Sequence, residues 1–284
     1  MAIADDRDDQ ALEAALGKIG AQDDGSIDLA GAALLLAARE RPRVSLGRYR
    51  RHLRVLGEGA AAAFGRARSD DLDAATGAVN EVLYAVHGYT GDSLTYDDLQ
   101  NASLIRVIDR RRGLPVSLGI LWIHTARALG LTATGINFPG HFLVRVDGGG
   151  ERLLIDPFEL GRTREAADLR GMARMVLGAG AELEPEFYAP LGNREVLLRL
   201  LNNIRFRHLK RDRLASAART IGGMILVAPG EAGLWREAGL IQMRLGNREA
   251  AAGLLEGFLR LAGGGHPDSH EAAALLQELR DGPG

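Results

Sequence analysis

The chain has 284 residues, of which 46% are apolar and 25% charged, and a formal net charge of −2. That balance fits a globular protein of about one to three domains and gives no whole-chain attraction to nucleic acid or acidic membranes. It contains no cysteine, which excludes disulfides, zinc–thiolate sites and a cysteine nucleophile.

The start, MAIADDRDDQ, is acidic and has no basic region followed by an apolar run, unlike a secretory signal. The most apolar stretches, GAALLLAA and LGILWI, fall well short of the ~20 residues of a membrane helix. A soluble, cytoplasmic protein is expected. Residues 1–25 are polar and rich in Gly and Asp and read as a loose acidic tail with one weak helix near 11–19. From Asp28 the pattern becomes helical, with Asp28 as N-cap and an apolar stripe through Leu29, Ala32, Ala33 and Leu36. Further helices are expected over 45–56 and over 71–86, the latter closing on His87-Gly88. The stretch GYTGDSLTYDDLQNAS has the composition of an ordered or functional loop. A short helix over 104–112 should stop at Gly113. PVSLGILWIHTARALG follows, apolar nearly all round and therefore expected at the centre of the core. Pro115 suits its entry, Ser117 stands at its N-terminal end and Gly130 closes it.

Next, Phe142, Val144 and Val146 alternate with His141, Leu143 and Arg145, the period of a half-buried strand. Gly148–Gly150 forms a turn and 152–156 the return strand. Helices followed by a hairpin imply an α+β domain. A two-residue turn at Gly148-Gly149 sets His141 opposite Asp156, with Cβ atoms about 4.5–5.5 Å apart. An aspartate there can hold one imidazole nitrogen and leave the other for a nucleophile; a three-residue turn would offset the pair. The natural third member is Ser117, at a helix N-terminus. Its hydroxyl titrates too high for the helix dipole to ionise it, so it would need His141 as general base. Asn101, Ser103 and Asn137 lie in loops that should border this cleft, as turn and capping residues or as substrate contacts and oxyanion donors. His124, seven residues after Ser117 on the same helical face, reads as a core or boundary histidine. Gly148–Gly150 is not a phosphate loop, because a strand follows it. The arginines of 39–54 and of RFRHLKRDR read as solvated helix faces.

From Arg194 the chain is helical. DRLASAARTIGGMILVAPG lies over GNREAAAGLLEGFLRLAGG at an offset of about 34 residues, the tetratricopeptide period. The match pairs Ala217 with Ala251, Ala218 with Ala252, Ile221 with Leu255, Met224 with Phe258 and Val227 with Leu261. SHEAAALLQELRD would cap the array. Two hairpins leave an apolar end face, so the core or the last helix should cover it, with Leu198, Leu201 and Ile204 facing the core. His266 and His270 have metal-like spacing, but Pro267 between them breaks a continuous helix, so no metal is expected.

The run GYTGDSLTYDDLQNASLIRVIDRRRGLPVSLGILWIHTARALGL, with GINFPGHFLVRV and LLIDPF after it, resembles the transglutaminase-like proteins of the SirB type. These are bacterial proteins whose transglutaminase-like core precedes tetratricopeptide repeats. The resemblance spans about residues 27–280. It implies an α+β transglutaminase-like (papain-like) core with a helical N-terminal part and a small antiparallel sheet, then an all-α tetratricopeptide-type tail. With 1–25 read as a flexible acidic tail from its composition, the divisions are 26–189 as transglutaminase-like domain and 190–284 as helical repeats. Within the domain, 26–112 is the helical part and 113–189 the helix-and-hairpin core. The superfamily's Cys, His and Asp fall on Ser117, His141 and Asp156. Proteins of the SirB type commonly lack that cysteine, so the resemblance implies a modified or lost activity. Two readings follow: a non-catalytic or weakly catalytic module that binds a peptide or small ligand in its cleft and a protein through its repeats, or a serine-dependent amidase or acyltransferase using Ser117, His141 and Asp156. Neither requires a cofactor, a membrane or nucleic acid, and oligomeric state stays open.

Overall fold

A computed structural model of the chain describes residues 3–41 and 43–281, with side chains from residue 10 onward. It divides into two compact units, one of residues 23–200 and one of residues 1–22 with 201–284. Residues 1, 2, 42 and 282–284, which include the ends of the expected tail and repeats, lie outside the described residues.

The unit of 23–200 begins with helices. α2 (Leu29–Arg39) starts where Asp28 accepts a hydrogen bond from Gly31 N, and α4 (Leu72–Asn80) where Asp71 accepts from Ala74 N. These are the N-caps that fix where each helix can begin. Between them α3 (Gly47–Phe64) runs two turns beyond its expected end. α4 passes into a π-helical turn, Glu81–Val86. α5 (Leu104–Arg110) ends on Arg111, which takes the left-handed conformation at φ 59°. The expected stop at Gly113 is thus corrected by two residues. Gly113 instead lies in β2 (Arg112–Gly113), paired in parallel with β1 (Thr90–Gly91). α6 (Pro115–Ala128) is buried from Val116 through Ile123, as its all-round apolarity requires.

The sheet is antiparallel throughout: β3 (Thr132–Ile136), β4 (Leu143–Gly148), β5 (Glu151–Asp156), β6 (Arg162–Thr163) and β7 (Pro190–Leu191), in the order β6-β5-β4-β3-β7. Alternation divides its side chains between two faces. Ile136, Leu143 and Leu154 join Leu169, Met172 and Ala173 of α7 (Ala166–Leu177). On the other face, Phe142 packs so closely on Gly119 of α6 and Gly135 of β3 that a Cβ on either would meet its ring at 2.4 and 2.6 Å.

The β4–β5 register corrects the expected His141–Asp156 opposition. The turn residues are Gly149 and Gly150, at φ +60° and +84°, and Gly148 pairs with Glu151. Val144 then meets Ile155, Val146 meets Leu153 and Asp147 meets Arg152. A turn one residue earlier would have set Val146 against Glu151. Apolar cross-strand pairing decides the frame, and its continuation places Asp156 beside Leu143. β4 itself begins only at Leu143, so His141 precedes the strand.

Asp24 closes this unit. Its carboxylate accepts from Asn193 N at 2.7 Å and Arg194 N at 2.8 Å, capping α8 (Asn193–Lys210). Residues 23–25 therefore belong to the core rather than to a tail. Near the start of α8 the buried positions are Val196, Leu197, Leu200 and Leu201. Leu198 and Ile204, expected inward, are only half-buried, so the inward stripe runs one residue earlier, except at Leu201.

In the other unit α9 (Leu214–Val227), α10 (Ala232–Arg244), α11 (Arg248–Ala262) and α12 (Ser269–Asp281) pack in sequence as helical hairpins. The repeat reads through to burial: Ala217, Ile221 and Met224 are as buried as Ala251, Leu255 and Phe258. It lapses at the end, where Val227 is buried and Leu261 is 44% exposed. The start of the chain is also corrected. α1 (Ile3–Gly20) is a full helix packed on α9, with Leu16 wholly buried. It supplies cover for the face that two hairpins leave open. Among the described residues no helix is long and apolar enough to cross a membrane.

Candidate functional site

Ser117 stands in the first turn of α6, after Pro115 at the entry. Its side chain has no solvent exposure. The hydroxyl lies 2.8 Å from Asn101 O and 3.0 Å from Leu114 O. A serine has one proton to donate, so these two carbonyls share it. Gly113 packs against the hydroxyl, since a Cβ there would lie 2.5 Å from Ser117 Oγ. Its partner Gly91 is covered in turn by the ring of Phe158, 2.6 Å from where a Cβ would be. Tyr96 meets that ring edge-on at 6.0 Å.

Asn101 is also wholly buried, and all of its polar side-chain atoms are engaged within the protein. Its carbonyl receives Ser117 and Leu114 N, its Nδ2 donates to Thr95 O at 2.7 Å and its Oδ1 accepts from Arg110 at 2.8 Å. Arg110 also donates to Asp92, 3.0 Å away and 2% exposed. The Thr95 hydroxyl, then its amide and Arg110, hold the Asp92 carboxyl at about 2 against the opposing effect of burial. This network fixes the loop of residues 90–103 against the start of α6. Ser103 precedes α5 without capping it, and its hydroxyl is buried and unbonded. Asn137 is exposed, with no side-chain hydrogen bond.

Asp156 is 3% exposed, and both its oxygens are engaged. Oδ1 accepts from Phe158 N at 3.0 Å and Glu159 N at 3.2 Å. Oδ2 receives Arg164 Nη2 at 2.6 Å and Nε at 3.1 Å. Burial, reinforced by the Asp156 charge, pushes the Tyr84 phenol far up, and its hydroxyl donates to Pro157 O at 3.2 Å. His141 is half-buried; its backbone N–H closes the turn onto Phe138 O at 2.9 Å. No hydrogen bond joins any two of Ser117, His141 and Asp156. Sequence reasoning missed Arg164, although a buried aspartate without a histidine needs a cation, and Arg164 directly follows the next strand, β6. His124 meets Leu53 O at 3.1 Å and borders a cleft of about 570 Å³ between α2, α3 and α6. Among the described residues no three His, Asp or Glu gather as metal ligands.

Residues 48–202 match the transglutaminase-like superfamily, and residues 204–279 match the tetratricopeptide repeat. A UPF0162 protein of Xylella fastidiosa (strain Temecula1) is 32% identical over 265 residues, which cover 91% of each chain. A UPF0162 protein of Vibrio cholerae is 28% identical over 69% of this chain and 71% of its own. The mouse F-box only protein 21 is 37% identical over 82 residues, 29% of this chain and 13% of that protein. No solved structure matches.

Proposed function

Since the chain belongs to the transglutaminase-like superfamily, we propose that it acts as a non-catalytic or weakly catalytic binding module of the bacterial cytoplasm. Its core holds a peptide or protein segment and its tetratricopeptide helices hold a protein partner. The observation that carries this reading is the state of Ser117. A serine nucleophile needs an accessible oxygen and a base within about 2.6–3.2 Å. The Ser117 hydroxyl is buried and donates into backbone carbonyls instead. The carboxylate that would orient His141 is held by Arg164 and two amides. A single helical hairpin cannot bury its own face, and stacked pairs of this kind offer a surface for an extended or helical segment of another protein.

The test is the substitution Ser117→Cys, labelled with iodoacetamide across pH, with and without His141→Ala. A binding module gives a thiol that reacts slowly and indifferently to His141. Fast labelling, half-maximal well below the usual cysteine range of about 8.5 and lost in His141→Ala, would make the site an organised catalytic one and overturn the reading.

A further inference from the structure

A second polar cluster lies on the core unit, built from groups that take no part in the site above. It comprises His52 on α3, His87 and Tyr89 after the π-helical turn, and Arg111 at the end of α5. Tyr89 is 2% exposed, and the other three are half-buried. The Arg111 guanidinium lies over the Tyr89 ring, 4.8 Å from its centroid, and touches the Tyr89 hydroxyl. Arg111 Nη1 is 2.6 Å from His52 Nε2, and Tyr89 Oη is 2.9 Å from the same nitrogen. The His52 and His87 rings meet edge-on at 5.1 Å.

Arg111 Nη1 finds only uncharged partners here, the Tyr89 hydroxyl and His52 Nε2, and that same nitrogen also lies within hydrogen-bond reach of the phenol. No carboxylate contacts Arg111 among the described residues. Asp109, two residues before Arg111, is already engaged by Arg48 at 3.2 Å, by Arg41 at 3.6 Å and by the Tyr49 hydroxyl at 3.1 Å. Counting Arg41, Arg48 and Arg111 against Asp109 leaves an excess of two positive charges with both histidines neutral. What the cluster lacks is an acceptor carrying negative charge.

The backbone at Arg111 supports the same conclusion. Arg111 is not a glycine or asparagine, yet it takes the left-handed conformation, which is uncommon for such a residue and is retained where its surroundings fix it. Its N–H donates to Val107 O at 2.8 Å, and its carbonyl accepts from Thr90 N at 2.9 Å. The residue is thereby clamped from both sides, and its guanidinium is aimed at the histidines.

We propose that His52, His87, Tyr89 and Arg111 form a binding site for a phosphate group. A lone guanidinium suits a carboxylate. A fork of guanidinium N–H groups beside two imidazoles that can each gain a proton suits the higher charge and larger number of oxygens of phosphate. The bound anion favours the protonated imidazoles, the reverse of the present state. Burial, then Arg111, then His87 lower His52 to about 4, and burial with Arg111 lowers His87.

The experiment uses the full chain with isotopically labelled histidines, at constant ionic strength in chloride, and follows the seven imidazoles by NMR. Inorganic phosphate and acetate are the probes. Phosphate should shift His52 and His87 saturably, raise their apparent pKa values and leave His124 and His266 unmoved; acetate should not. Arg111→Asn, which tolerates the left-handed backbone, should weaken phosphate binding by about tenfold or more. His52→Gln, which keeps Arg111 and the His87 reporter, should weaken it as well, so that a folding defect in one variant leaves a second test. Absence of a saturable shift at His52 and His87, or equal responses in the wild type and both variants, would overturn the site. Equal saturation by acetate would overturn the choice of phosphate in favour of a carboxylate.

Discussion

Arg164 and Asp156 form a buried ion pair, with Nη2 donating to Oδ2 at 2.6 Å and side chains only 13% and 5% exposed. With two backbone amides on the other oxygen, Asp156 anchors the turn of residues 157–161 between β5 and β6. Tyr84 and Asn80 secure the same turn through Pro157 O and Gly161 O.

Removing the cation alone should be costly. Arg164→Ala leaves Asp156 buried and uncompensated, and should lower unfolding free energy by about 3–5 kcal/mol. Adding Asp156→Asn should recover part of that loss. Urea denaturation of the two single variants and the double variant measures the coupling; additive losses would show that the two groups are independent.

The Asp92 network predicts an acid transition. Asp92 is held at about 2, below its ordinary 3.8, first by the Thr95 hydroxyl. The folded state therefore binds its proton less readily than the unfolded chain, and the resulting stability is present above about 3.8 and lost as pH falls toward about 2. In Asp92→Asn that part of the slope should vanish from denaturation curves taken between pH 5 and 2, while the variant is less stable at neutrality because Arg110 loses its counter-charge.

His52 acts in a higher window. Its folded value of about 4 lies below the ordinary 6.5, so the unfolded chain takes up the proton first. Stability should fall as pH drops from about 6.5 through about 4. His52→Gln should flatten the thermal midpoint across that window. An unchanged pH profile in this variant would mean that the imbalance around Arg111 is relieved in solution.

Much of this was readable from residues alone. Asp28 and Asp71 announce their helices because a carboxylate before an apolar stripe has free N–H groups to accept from. The buried α6 and the repeat pairs at 217/251, 221/255 and 224/258 follow from apolar spacing. The hairpin was legible but its frame was not. Three consecutive glycines can all take positive φ, so the turn itself does not choose between 148–149 and 149–150. The choice lies in pairing Val144 and Val146 with Ile155 and Leu153, a non-local preference. β3 was hidden because Gly135 interrupts its pattern, and the glycine is there to admit Phe142. Arg164 and the Arg111 cluster were hidden because arginines are plentiful and nothing local marks the few that are buried.

Helix α1 offers a paired test of its packing on α9. A Cβ at Gly20 would lie 2.2 Å from Leu226 O, whereas at Gly17 it would meet nothing within 4 Å. Gly20→Ala should destabilise by about 1–3 kcal/mol. Gly17→Ala, in the same helix, should stabilise by about 0.5–1 kcal/mol. Chemical denaturation of both separates docking from helix propensity; the same sign in both variants would mean that α1 does not rest on α9.

The two facing glycines above Ser117 bear on how the chain can change over generations. Phe158 occupies the room of one missing side chain, at Gly91, and the Ser117 hydroxyl that of the other, at Gly113. Positions 91, 113, 117 and 158 are therefore tied together, and none can enlarge unless a neighbour yields. A cysteine at 117 would bring a bulkier sulfur into a space already filled, under a wall that keeps solvent and any acyl donor away. The path from serine to an accessible thiol is one replacement in sequence but a concerted rearrangement in space, so a lineage that settles into this arrangement has few single steps leading out of it.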